Sequence, residues 1–147
     1  PDDWHSVSDT AGHGEVMIIA IDSVRKISDF YSAGVRMALD SNMLTQYKLN
    51  STVDILDFWD YIVGQNQKNF KSYQEVKRKD FAVGDFKGTM KEYSIVIDEN
   101  SVPITIYEIV LAKDDKLFYS YLQSSEGQFE YFRKIFDRAL NSLTINL

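Results

Sequence analysis

The chain contains no cysteine. That absence removes disulfide staples, thiolate zinc sites, iron–sulfur clusters and a cysteine nucleophile together. Proline is nearly as scarce, with only Pro1 and Pro103. No Pro/Gly-rich linker, low-complexity tract or internal repeat interrupts the 147 residues, so they read as one domain spanning 1–147. No apolar run approaches the roughly 20 residues of a membrane span, so no transmembrane span is expected in this chain. Positive charge is in deficit, with 16 Lys and Arg against 22 Asp and Glu for a net charge of −6. A phosphate backbone or an anionic lipid surface needs a basic face, so neither nucleic acid nor membrane headgroups are expected partners. Local catalytic signatures are missing as well. There is no G-x-S-x-G elbow and no G-x-x-x-x-G-K-[ST] loop, and neither GHGE nor GDFKG supplies the second pattern. A convergent Ser/His/Asp arrangement leaves no such signature, but nothing positive points to an enzyme.

Aromatic residues are plentiful at 14% of the chain. Rings must therefore supply much of the core. PDDWH reads as a turn entering a strand, with Trp4 as its apolar anchor. Residues 9–15, DTAGHGE, read as a loop by their glycines. VMIIAID (16–22) is a short apolar run expected to form a strand buried on both faces. Residues 27–44 place Ile27, Phe30, Tyr31, Val35 and Ala38 near one helical face and predict a helix, weakened by Gly34. A second helix over 51–70 has a clearer start, with Ser51 or Thr52 as N-cap and Asp54 in the first turn, where the helix dipole favours an acid. Its stripe is Ile55, Phe58, Trp59, Ile62 and Val63. From Tyr73 onward, β-rich runs alternate with the short connections GDFKG, DENSVP and Asp114-Asp115, which predicts antiparallel hairpins. Phe129, Phe132, Phe136 and Leu140 recur at helical spacing, so a helix over 126–140 should lie across one sheet face. Burial of those four side chains is worth roughly 1.5–3 kcal/mol each before entropy costs. Leu143, Ile145 and Leu147 then alternate, as expected of a returning strand. The fold class is α+β, an antiparallel β-sheet flanked by helices.

Several of these features resemble the PsbP/Mog1/DcrB-like group. They are the opening P-x-x-W (PDDW, 1–4), the strand stretch from Gly88 to Tyr93, and the Y-S-Y strand at 119–121. The closing F-x-x-x-L-N-S-L at 136–143 completes the set. The helix expected at 27–44 departs from that pattern. The resemblance implies an α/β/α sandwich, Mog1/PsbP-like, and a non-enzymatic binding or adaptor domain with no shared catalytic set and no cofactor. It further implies the globular part of a bacterial extracytoplasmic lipoprotein, held to the membrane by a lipid upstream of Pro1. The partner would be a protein or a cell-envelope component.

The candidate binding residues are Tyr107, Glu108, Tyr119 and Tyr121, because tyrosine joins an apolar body to a polar tip. Alternation along the last two long strands sets Tyr107 on the face opposite Glu108, Tyr119 and Tyr121. His5 and His13, the only histidines, have Asp9 and Glu15 nearby but no recognised ligand spacing, so no metal site is expected. EVKRKD (75–80) concentrates basic residues and reads as a charged edge strand, or else as a docking patch for an acidic partner. Two other functions stay open: a ligand-binding domain or hydrolase with its pocket between the sheet and the helix at 52–70, and a chaperone for hydrophobic segments with an apolar groove.

Overall fold

A computed structural model of the chain describes residues 4–11, 14–20, 32–141 and 145. Among these, seven strands form one antiparallel sheet in the order β1-β2-β3-β7-β6-β5-β4. They are β1 (His5–Ala11), β2 (Gly14–Ala20), β3 (Gly34–Asp40), β4 (Ser72–Val83), β5 (Phe86–Val96), β6 (Ile104–Lys113) and β7 (Lys116–Ser125). Two meanders, β1–β3 and β4–β7, are joined where β3 pairs with β7. The hairpins predicted after Tyr73 are present. Gly84-Asp85 turns β4 into β5 with Gly84 at φ 57°, a left-handed conformation that glycine adopts without strain. Asp114-Asp115 turns β6 into β7 with Asp114 at φ 53°.

The crossover from β3 to the far edge strand β4 carries α1 (Met43–Tyr47) and α2 (Thr52–Gln67) over one face of the sheet. Ser51 caps α2, its hydroxyl accepting the Asp54 backbone N–H at 3.2 Å, as the sequence predicts. Ile55 is fully buried, and Leu56, Phe58 and Trp59 pack with it against Val110, Ala112 and Leu117. A 3₁₀ turn at Glu126–Gln128 leads into α3 (Phe129–Asn141) on the opposite face. Phe129, Phe132 and Phe136 are buried there against Tyr107, Ile109, Leu111, Phe118 and Leu122, and Leu140 packs beside them. Trp4 closes one end edge-to-face on Phe132, with ring centroids 5.7 Å apart. Helices cover both faces, so the sheet is the α+β sandwich that the sequence predicts.

Three expectations need correction. Residues 34–40 of the expected helix form the strand β3, and only Met43–Tyr47 is helical; residues 27–31 lie outside the described part of the chain. Val35, Met37 and Leu39 alternate with Arg36, Ala38 and Asp40, and a strand of that parity fills the place between β2 and β7. Gly34 fits its slot because a Cβ there would stand 2.5 Å from the Ile19 carbonyl oxygen. The loop expected at 9–15 contracts to a hairpin connection, since Asp9–Ala11 belong to β1, Gly14-Glu15 to β2, and Ala11 faces Gly14. β2 is also less symmetric than expected, with Ile18 and Ala20 buried but Met17 and Ile19 half-buried. Of the returning strand at 143–147 only Ile145 is described, and it packs against the α3-side core.

Candidate functional site

Register sets a row of polar side chains across the α2 face. Arg78 on β4 pairs with Lys91 on β5, Lys91 with Glu108 on β6, Glu108 with Tyr121 on β7, and Tyr121 with Arg36 on β3. Cross-strand partners share a face, so one polar band crosses five strands through the middle of an apolar sheet. Glu108 is 0% exposed and Lys91 3%. Charged groups at such depth require partners, and α2 provides them. The Trp59 indole donates its Nε1–H to Glu108 Oε1 at 3.1 Å. Asp60, the next residue of α2, pairs with the Lys91 ammonium and also with Arg78 at 3.3 Å. Arg78 in turn holds Glu75 at 3.0 Å. Glu108 Oε2 is buried with no hydrogen-bond partner among the described residues.

Aromatic rings pack around these charges. Trp59 stacks on Tyr119 at 4.4 Å, Tyr119 meets Tyr121 at 5.6 Å, and Tyr73 leans on Tyr93 at 5.1 Å. Burial, then the Glu108 charge, drives the Tyr93 phenol far above its ordinary value. Burial and the nearby Glu75 push Tyr73 up to about 12. Burial also raises Tyr119, with Asp40 adding to the rise and Arg36 opposing it. The Arg78 guanidinium holds the Glu75 carboxyl below its usual range. These phenols are therefore proton holders at neutral pH, and none is poised as a base.

Of the residues singled out by sequence, Glu108, Tyr119 and Tyr121 meet on this face. Tyr107 lies on the other, as alternation predicts, and belongs to the α3 core. Its hydroxyl points to Met90 Sδ at 2.6 Å, its ring meets Phe136 edge-to-face at 5.6 Å, and the Arg133 guanidinium sits 5.4 Å from its centre. Sequence reasoning missed Lys91, Trp59, Asp60, Arg78, Tyr93 and Arg36. Adjacent Trp59-Asp60 in an apolar stripe, with Lys91 amid a β run, was the available signal, but only the strand register joins them.

Elsewhere, His5 is exposed on β1, and His13 lies outside the described residues. No group of three metal-ligating side chains forms among the described residues. An open cleft of about 780 Å³ lies over β1–β3, floored by Met17, Met37, Leu39 and Phe118 and edged by Ser8, Thr10 and Glu15. Those side chains share the parity of the α3 face, so the cleft is not the one expected between the sheet and α2. No helix among the described residues is long and apolar enough to cross a membrane.

By sequence the chain matches no known family and no curated protein. By fold it is similar to PA94, a protein of unknown function from Pseudomonas aeruginosa whose crystal structure is known. That comparison gives a TM-score of 0.58 at 10% identity and covers 97% of this chain and 99% of the other. It is likewise similar to cyanobacterial PsbP (CyanoP) from Synechocystis sp. PCC 6803, known from a solution structure. There the TM-score is 0.56 at 14% identity, over 98% of this chain and 93% of the other. The class is thus an α+β protein with a PsbP-like fold. Identities this low carry the fold and nothing of the chemistry.

Proposed function

We propose that this chain is a non-enzymatic binding domain of the PsbP-related kind, an adaptor that engages a protein or cell-envelope component, and that it is the globular part of a bacterial extracytoplasmic lipoprotein. The observation that carries the reading is the fate of Glu108. Its fully buried carboxylate takes the Trp59 N–H, and its neighbour Lys91 is bound to Asp60. A general acid or base must reach a substrate proton within hydrogen-bond distance. These groups are instead committed to fastening a helix. The PsbP-like fold and the implied kinship support the adaptor role and the extracytoplasmic setting.

The test is a turnover screen of the purified chain against generic esterase, phosphatase and glycosidase substrates, with Glu108→Gln alongside. The reading predicts no activity above background in either protein. Turnover that persists through further purification and disappears in Glu108→Gln would overturn it. Cell fractionation, with mass spectrometry for a lipid-modified amino terminus on the native protein, tests the localisation.

A ligand-binding role is favoured by the Met-floored cleft over β1–β3, and a smaller open pocket of about 420 Å³ lies between the start of α2 and the sheet, lined by Thr52, Leu56, Asp85 and Ala112. The cleft's volume lies in the range of small-molecule sites, roughly 300–1,000 Å³. A thermal shift with small apolar ligands, abolished by Met37→Lys, would support that second reading.

A further inference from the structure

We infer that the free edge of β4 is a strand-addition site for an acidic, extended segment of a partner protein. The inference rests on the binding-domain reading above and names where the partner is held. β4 ends the sheet, its outer edge is unpaired among the described residues, and most of Ser72–Val83 is exposed. A bulge at Glu75/Lys77 interrupts its ladder with β5. Beyond the bulge, Lys77–Val83 runs in unbroken register with β5 for seven residues. That is the length of an ordinary strand.

Register also decides what the edge presents. Lys77, Lys79, Phe81 and Val83 fall on the α3 face, opposite Glu92, Met90, Gly88 and Phe86. Arg78 falls on the other face and is already held by Glu75 and Asp60. The uncommitted charge is therefore a pair of lysines two residues apart on one face. Lys77 forms no ion pair among the described residues, and Lys79 overhangs the Phe81 ring at 5.9 Å. Phe81 and Val83 follow, half-buried against the core.

In the register centred on Arg78 the same lysines disfavour a second copy. Antiparallel pairing of two β4 edges about Arg78 would set Lys77 against Lys79 in both directions, and like charges directly opposite are destabilising. An acidic strand meets no such barrier. In a chain of net charge −6 this is a local positive feature that attracts carboxylates. Strand addition takes its affinity from main-chain hydrogen bonds and its specificity from alternate side chains. The partner then reads, antiparallel to β4, as two apolar residues at alternate positions followed by two acidic residues at alternate positions, facing Val83, Phe81, Lys79 and Lys77 in turn.

The experiment uses a fluorescent synthetic peptide with that pattern, valines then glutamates at alternate positions with threonines between. A control carries lysine for glutamate. Anisotropy with the full chain should show binding of the glutamate peptide that weakens steadily with added salt, and no binding of the lysine peptide. Lys77→Glu with Lys79→Glu should weaken the glutamate peptide roughly tenfold and admit the lysine peptide. Amide hydrogen exchange should slow along β4 in the wild-type complex. If the double reversal fails to fold, Lys77→Ala with Lys79→Ala and the same exchange readout replaces it. No binding, equal binding by wild type and variant, or protection confined to α2 or β1 would each overturn the inference. Such failure leaves the adaptor reading standing with another contact surface. Catalytic turnover in the screen would sink the adaptor reading whatever the peptide does.

Discussion

At the scale of single residues, the centre of the molecule is a carboxylate whose surroundings would strand it without help. Glu108 sits on β6 with Lys91 of β5 on one side and Tyr121 of β7 on the other, and it accepts a hydrogen bond from Trp59. Removing the donor leaves a buried acceptor bare, which costs about 1–3 kcal/mol. Trp59→Phe keeps a ring over Tyr119 but loses the N–H, so its unfolding free energy from urea titration should fall by that order. In a cycle with Glu108→Leu, which removes the acceptor, the two changes should be non-additive, because they share one bond. Strict additivity would mean that the bond contributes nothing. The buried phenols set a second expectation. Their folded-state values lie above the ordinary 10.0, with Tyr73 at about 12. A raised phenol value stabilises the fold below the unfolded value, and that contribution is lost as pH rises through the folded one. Guanidinium midpoints should therefore hold level up to pH 10 and decline toward 12. Fewer than the nine tyrosines should ionise in the folded protein at about pH 11; ionisation of all nine without unfolding would contradict the burial described.

At the scale of elements, the two covering helices are held by different physics, and this decided which was easy to read. α3 carries its aromatics at helical spacing and buries three of them, so the sequence pattern and the packing agree. Phe136, 2% exposed and edge-to-face with Tyr107, should be the costliest to truncate. Phe136→Ala is expected to lower stability by about 3–5 kcal/mol in chemical denaturation. A loss below 1 kcal/mol would show that the ring is not core. In α2 only Ile55 is fully buried, Tyr61 and Ile62 are exposed, and the grip past Phe58 adds to the Trp59 stack on Tyr119 the polar contacts of Trp59 and Asp60 with the sheet. The cap and first turn of α2 were legible, whereas the polar contacts were not. β3 was misread for a related reason. Val35 and Ala38 are spaced for a helix, but the short run has no length to arbitrate, and tertiary pairing with β2 and β7 prevails over a weak local preference.

At the scale of the whole molecule, local sequence reached the hairpins and the sandwich but not the junction of its two meanders. Nothing in the residues announces that β3 pairs with β7. That junction carries the β3–β4 crossover, and α2 with it, over β6 and β7, and places Arg36 beside Tyr121. The alternation that set Tyr107 apart from Glu108, Tyr119 and Tyr121 was readable within β6 and β7. The band from Arg78 to Arg36 needed the registers of four strand pairs and was not. The central claim is that α2 seals the middle of this band, Lys91 and Glu108, while Arg78 and Asp60 stay partly exposed at its margin. Carboxyl footprinting of the native protein by mass spectrometry tests the seal most directly. The account predicts that Glu108 stays unlabelled while the exposed Asp57 and Glu99 react quickly. Labelling of Glu108 in the folded chain at a rate like theirs would contradict it.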